Sequence, residues 1–142
     1  MKKLSMFLVG SFLIISCFAQ KVNSSDVPAA VKSALQSKYP DSKNNVYWEK
    51  EHGNYEANWG GKSKEDNSVQ FTPTGEFIES VKAIPVSELP KPVGDYVKTH
   101  YKGAKITEAG KVTDAHGKIF YEAEVKGKDI VFDEHGSFVK SE

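Results

Sequence analysis

Three of the four histidines, His52, His116 and His135, stand directly before a glycine, each with an acid within two residues upstream. A metal centre would need such imidazoles to converge with a carboxylate such as Glu51 or Asp133. His52 and His116 fall in corresponding first-hairpin turns of what reads as two copies of one unit, and His135 falls in a different turn. Turn residues that tolerate left-handed backbone account for all three, so no metal and no cofactor is assigned. His100 falls on the apolar stripe of a helix and is expected to pack there or at its edge.

Acid–base chemistry would need a carboxylate pair, and the chain offers Glu122 with Glu124 or Asp133 with Glu134. The first pair shares one side of a strand, roughly 7 Å apart by strand rise. Lysines are numerous enough to offset both, which favours a solvated, salt-bridged sheet face. Neither pair has a nucleophile near it in sequence. No nucleophile elbow, phosphate-cradling glycine loop, calcium loop or zinc spacing occurs. The expectation is a protein that is not an enzyme.

The elements that carry these residues are strands in tight succession. Tyr121, Ala123 and Val125 alternate with Glu122, Glu124 and Lys126, the period of a strand with one buried face. Gly127 interrupts the run, Ile130 to Phe132 form a second, and Asp133-Glu134-His135-Gly136 turns the chain into Phe138 and Val139. Earlier, Tyr55-Glu56-Ala57, Val69 with Phe71, and Gly75 with Phe77 and Ile78 repeat the device. A helix precedes each set. Val27, Ala30, Val31, Ala34 and Leu35 draw one stripe, with Pro28 in the first turn and Tyr39-Pro40 at the end. Leu89, Val93, Tyr96, Val97, His100 and Tyr101 draw the other, with Ser87 as its cap.

The two halves align at nearly constant offset. Val27, Pro28, Val31, Leu35 and Tyr39 precede Leu89, Pro90, Val93, Val97 and Tyr101 by 62 positions, and Phe71, Gly75 and Phe77 precede Phe132, Gly136 and Phe138 by 61. Two copies of one supersecondary unit produce that order. One copy alone is near the lower limit for an independent core. The predicted class is therefore α+β: a tandem repeat of a helix plus four antiparallel strands, forming one sheet of about eight strands with both helices on one face. Repeat 1 spans 26–83 and repeat 2 spans 84–142. The other sheet face is expected to stay open, carrying Glu56, Asn58, Glu122 and Glu124 with Tyr47, Phe120 and Val131 among them.

Residues 1–19 read as an export signal. Lys2 and Lys3 are its basic start, Leu4 to Ile15 its apolar stretch and Cys17-Phe18-Ala19 its cleavage site. Ile14-Ile15-Ser16-Cys17 also resembles a lipobox, and only a lipidated Cys17 would tie the domain to a membrane. Residues 20–25 read as a tether. Location is then periplasmic or secreted, with an outer-membrane lipoprotein as the variant. Cys17 is the only cysteine of 142 residues, so no disulfide staples the fold. Without Lys2 and Lys3, 17 basic residues face 19 acids, a formal charge of −2. Not one basic residue is arginine. A nearly neutral chain without guanidinium groups excludes the usual electrostatic footprint of a nucleic-acid binder.

Val27-Pro28-Ala29-Ala30-Val31 through Tyr39-Pro40, Tyr55-Glu56-Ala57, and Tyr121-Glu122-Ala123-Glu124-Val125 through Asp133-Glu134-His135-Gly136 resemble the PepSY-like family of exported bacterial proteins, which is similar to the beta-lactamase-inhibitor protein. The likeness covers about 26 to 142 and rests on core and turn positions, so it transfers no catalytic residue. It implies a tandem helix-plus-strands fold outside the cytoplasm. Related domains act as inhibitory modules in peptidase propeptides, which suggests protein binding. The expected function is an exported, non-catalytic binding or inhibitory module. It would meet another exported protein, such as a peptidase or envelope sensor, through Tyr47, Glu56, Asn58, Phe120, Glu122 and Glu124. A small-ligand or metal-binding periplasmic protein is the alternative.

Overall fold

The computed structural model describes residues 19–43 and 45–141. The signal segment before Ala19, including Cys17, lies outside the described residues. In chain order the elements are β1 (Gln20–Val22), α1 (Ala29–Lys38), β2 (Tyr47–Glu51), β3 (Asn54–Trp59), β4 (Asn67–Phe71), β5 (Phe77–Ala83), α2 (Lys91–His100), β6 (Ile106–Asp114), β7 (Ile119–Val125), β8 (Lys128–Asp133) and β9 (Phe138–Ser141). No helix among the described residues is long and apolar enough to cross a membrane.

Both helices are held the same way. Pro28 and Pro90 occupy their N-caps with near-identical backbone, φ −54° in each. Their missing N–H costs nothing at a position where the helix leaves donors unpaired. At the other ends, Tyr39 N–H and Tyr101 N–H each donate 2.8 Å hydrogen bonds to the carbonyls of Leu35 and Val97. Ser87 lies in a short 3-10 turn (Val86–Glu88) rather than capping α2. Val31 and Leu35 of α1, and Val93 and Val97 of α2, are the buried positions. Ala30, expected in the stripe, is exposed.

The nine strands form one antiparallel sheet whose spatial order is the chain order, β1 to β9. That is one strand more than expected. Residues 20–25, read as a tether, include β1, which pairs Gln20, Lys21 and Val22 with Lys50, Glu49 and Trp48. The repeats join through β5 and β6, where Val81 faces Val112. Cross-strand partners share a face, so the register from Ala57 through Val69, Ser80 and Thr113 sets Ala57 and Ala123 on one side. Tyr55, Ala57 and Trp59 pack under α1, and Tyr121, Ala123 and Val125 under α2.

On the helix side the core is in two parts. Val31, Leu35, Trp48, Val69 and Phe71 belong to one cluster, and Val93, Val97, Ile130 and Phe132 to the other. The hairpin turns press on the helix starts. A Cβ on Gly75 would lie 2.7 Å from the Ala30 carbonyl oxygen, and one on Gly136 would lie 3.1 Å from Pro90. Both glycines have positive φ, +85° and +82°.

Candidate binding face

Glu49, Glu56, Gln70, Glu79 and Asp114 form one cross-strand row on the side away from the helices. A second row runs Tyr47, Asn58, Ser68, Val81, Val112, Phe120 and Asp133. Glu108, Glu124 and Asp129 face each other in a third. All six expected site residues therefore share the face, but in two groups. Tyr47 and Asn58 are direct partners, with Glu56 two residues before Asn58 on β3, whereas Phe120, Glu122 and Glu124 alternate along β7. Four strand spacings, roughly 19 Å, separate β3 from β7.

The face is not the solvated surface that the alternation suggested. Asn58 and Glu122 are each only 3% exposed, Ser68 5%, and Val112 and Val131 0%. Both α1 and α2 pack on the opposite side of the sheet. Register shifts opposite Gln70/Phe71, at Ile106/Glu108 and opposite Val131/Phe132 leave Ile78 of β5, Thr107 of β6 and Val139 of β9 as the extra residues, and such bulges bend their strands. In a twisted sheet bent at several strands, neighbouring side chains lean over one another. Tyr47 and Phe120, expected to project into solvent, are both half-buried. Tyr47 donates its hydroxyl to the Glu65 carboxylate at 3.5 Å, and Phe120 packs on Val81 and Val112 with the Lys118 ammonium 4.9 Å from its ring centre.

Carboxylates crowd this side. Burial, joined by the charges of Glu51 and Glu65, pushes the Glu49 carboxyl up from its ordinary value. Burial raises Glu56 to about 7, and Glu49 and Glu51 add to the rise while the nearby Asn58 and Ser68 side chains oppose it. Glu108 is raised by burial, then by Glu124 and Glu65. Tyr47 is raised by burial and by Glu49, Glu65 and Glu56. Thr107 Oγ1 donates to Glu124 Oε1 at 2.6 Å. Strand parity identifies Glu49 and Glu51 once Trp48 is set inward. Glu65 could not be read the same way, since its loop (60–66) carries no alternation.

The histidines stay apart from this chemistry. His116 and His135 sit in matching turns, where Asp114 Oδ1 accepts from the backbone N–H of His116 and Lys118, and Asp133 Oδ1 from those of His135 and Ser137, at 2.8–2.9 Å. These bonds hold Asp133 below the usual carboxylate value. His52 and His116 do fall in the corresponding first hairpins of the two repeats, but in turn geometry His116 matches His135, and only His52 has the left-handed backbone expected of all three, φ 48°. His100 is exposed and stacks on Tyr96 at 3.9 Å. Among the described residues no three of His, Cys, Asp and Glu are grouped to hold a metal.

Solved structures with the same fold come from Bacteroides. A protein from Bacteroides eggerthii, described among "putative periplasmic proteins", superposes with TM-score 0.69 at 18% identity, covering 82% of this chain and 88% of that one. A DUF2874 family protein from Bacteroides uniformis gives 0.68 at 20%, covering 81% and 88%. A BLIP-like protein from Bacteroides fragilis gives 0.62 at 19%, covering 81% and 85%. No curated protein matches the chain. The family described as "Putative beta-lactamase-inhibitor-like, PepSY-like" matches twice, at residues 9–79 and 59–140, two overlapping matches that fit a tandem repeat. With those matches spanning nearly its whole length, the chain belongs to the PepSY-like family.

Proposed function

We propose that this protein is an exported, non-catalytic binding module whose acidic sheet face takes a basic segment of another periplasmic or secreted protein. The carrying observation is the crowding of carboxylates on one sheet face, Glu49 opposite Glu56 and Glu108 opposite Glu124, where burial and neighbouring acids raise Glu49, Glu56 and Glu108. A cationic partner offsets the repulsion, because an opposite charge favours the ionised form. The half-buried Tyr47 and Phe120 give the same face aromatic surface of the kind that anchors partners. The periplasmic description of the Bacteroides eggerthii structure and the BLIP-like naming of the Bacteroides fragilis one support the setting. A peptidase or envelope sensor with an exposed lysine- or arginine-rich loop is the partner class.

The test is capture from envelope extract by the exported form of the chain, compared with a Glu49→Lys/Glu124→Lys variant and a helix-side Lys98→Glu control. A specific partner bound by wild type and control, lost from the reversed face and weakened in 0.5 M salt, fits the reading. Retention by the reversed face overturns it.

A further inference from the structure

Between the two apolar clusters, on the helix side of the sheet, lies a gutter of about 270 Å3 with both apolar and polar lining. Its floor is built of two adjacent cross-strand pairs, Ser80 with Thr113 and Lys82 with Lys111. Its wall toward α1 is the ring pair of Tyr39 and Trp59, 5.5 Å between centroids. Trp59, Asn67, Lys82, Lys111 and Tyr121 succeed one another across β3 to β7 in a single row. The two lysines therefore sit between aromatic residues of both repeats.

Two ammonium groups directly opposite each other on antiparallel strands repel. Among the described residues no carboxylate comes within ion-pair distance of either Lys82 or Lys111, although the chain carries 19 acids. The acids of the sheet are on its other face. An ammonium is purely a donor, and a hydroxyl can donate too. The floor is thus two exposed ammonium groups with no carboxylate partner, flanked by hydroxyls that can donate or accept, beside a ring wall. Oxyanions bind such sets through charge-assisted hydrogen bonds, and a planar group beside the oxyanion can lie against Trp59. At about 4.8 Å per strand, Lys82 is roughly 10 Å from Trp59 across the sheet, within the reach of a lysine stem and a small aryl oxyanion.

We propose that the gutter is a second binding site, independent of the acidic face, for a small oxyanion carried on a planar ring, with Lys82 and Lys111 gripping the anion and Tyr39 and Trp59 flanking the ring. Phenyl phosphate and benzoate are the probes, titrated in phosphate-free, low-salt buffer by calorimetry and by the NMR shifts of the Trp59 indole. At least one should bind, shifting Trp59 and the amides of Ser80 to Lys82. Lys82→Gln/Lys111→Gln should weaken that binding at least about tenfold, while Lys105→Gln, outside the gutter, leaves it unchanged. Lys82→Glu replaces repulsion with an opposite-charge pair, so it should raise the melting temperature and abolish binding. That variant separates loss of the site from loss of the fold. The proposal is overturned if neither probe binds, if the double variant keeps wild-type affinity, or if neutral phenol binds as tightly as phenyl phosphate.

Discussion

Glu56 faces Glu49 directly across the β2–β3 ladder, two carboxylates on one side of the sheet, and Glu56 is raised to about 7. A carboxyl raised on folding holds more protons in the folded than in the unfolded state between its two pKa values, so stability falls as pH rises through that interval. Urea stability should therefore decline from about pH 4.5 to 7, by on the order of 3 kcal/mol from Glu56. Glu56→Gln should flatten the decline. A wild-type profile flat across that interval would refute the assignment.

Asp133 has the opposite sign. Its carboxyl is lowered by the backbone N–H groups of Ser137 and His135, so its contribution is present at neutral pH and is lost as pH falls through the acid range below its ordinary value. Asp133→Ala should lower the melting temperature at pH 7 more than at pH 3. Equal losses at both would mean that the turn does not depend on the charge.

The separate cores predict additivity. Phe71 and Phe132 are each about 1% exposed or less and belong to different clusters. Each change to alanine should cost about 3–5 kcal/mol through a cavity. The double variant should lose their sum within about 0.5 kcal/mol. Urea melts, run on a background stable enough to remain folded, would expose coupling through the gutter as a larger departure.

Gly75 and Gly117 both have positive φ, but only Gly75 lies against backbone, the Ala30 carbonyl. Gly117→Ala should cost about 1–2 kcal/mol of backbone strain. Gly75→Ala should cost more, because α1 must also move. Thermal melts giving the two equal values would show that the helix start yields freely.

Much of this architecture is legible in residue order. Alternation along Tyr121 to Val125 sets which side meets α2, and the offsets of 61 and 62 residues pair the helices and final hairpins of the repeats. The short strand β1 escapes that logic, since Gln20-Lys21-Val22 is three residues long and is recruited by β2 rather than by its own pattern. Bulges such as the one opposite Gln70/Phe71 leave no periodic trace. The depth to which Asn58 and Glu122 are buried depends on how several strands bend together, a property no single strand encodes. Lys82 and Lys111 are 29 positions apart, and only the β5–β6 register makes them neighbours.

That register closes a sheet in which every strand lies beside the strands before and after it in the chain. Only the β1–β2 and β5–β6 pairs are joined through a helix, and the other pairs are joined by short loops, so each strand can dock on its predecessor without waiting for a strand from later in the chain. Such near-neighbour pairing shortens the loops that must close and speeds folding relative to tangled sheets of the same size. A chain threaded through a narrow channel from its N-terminus could build this sheet strand by strand as it emerges, with β1 to β5 and α1 in place before the second helix arrives.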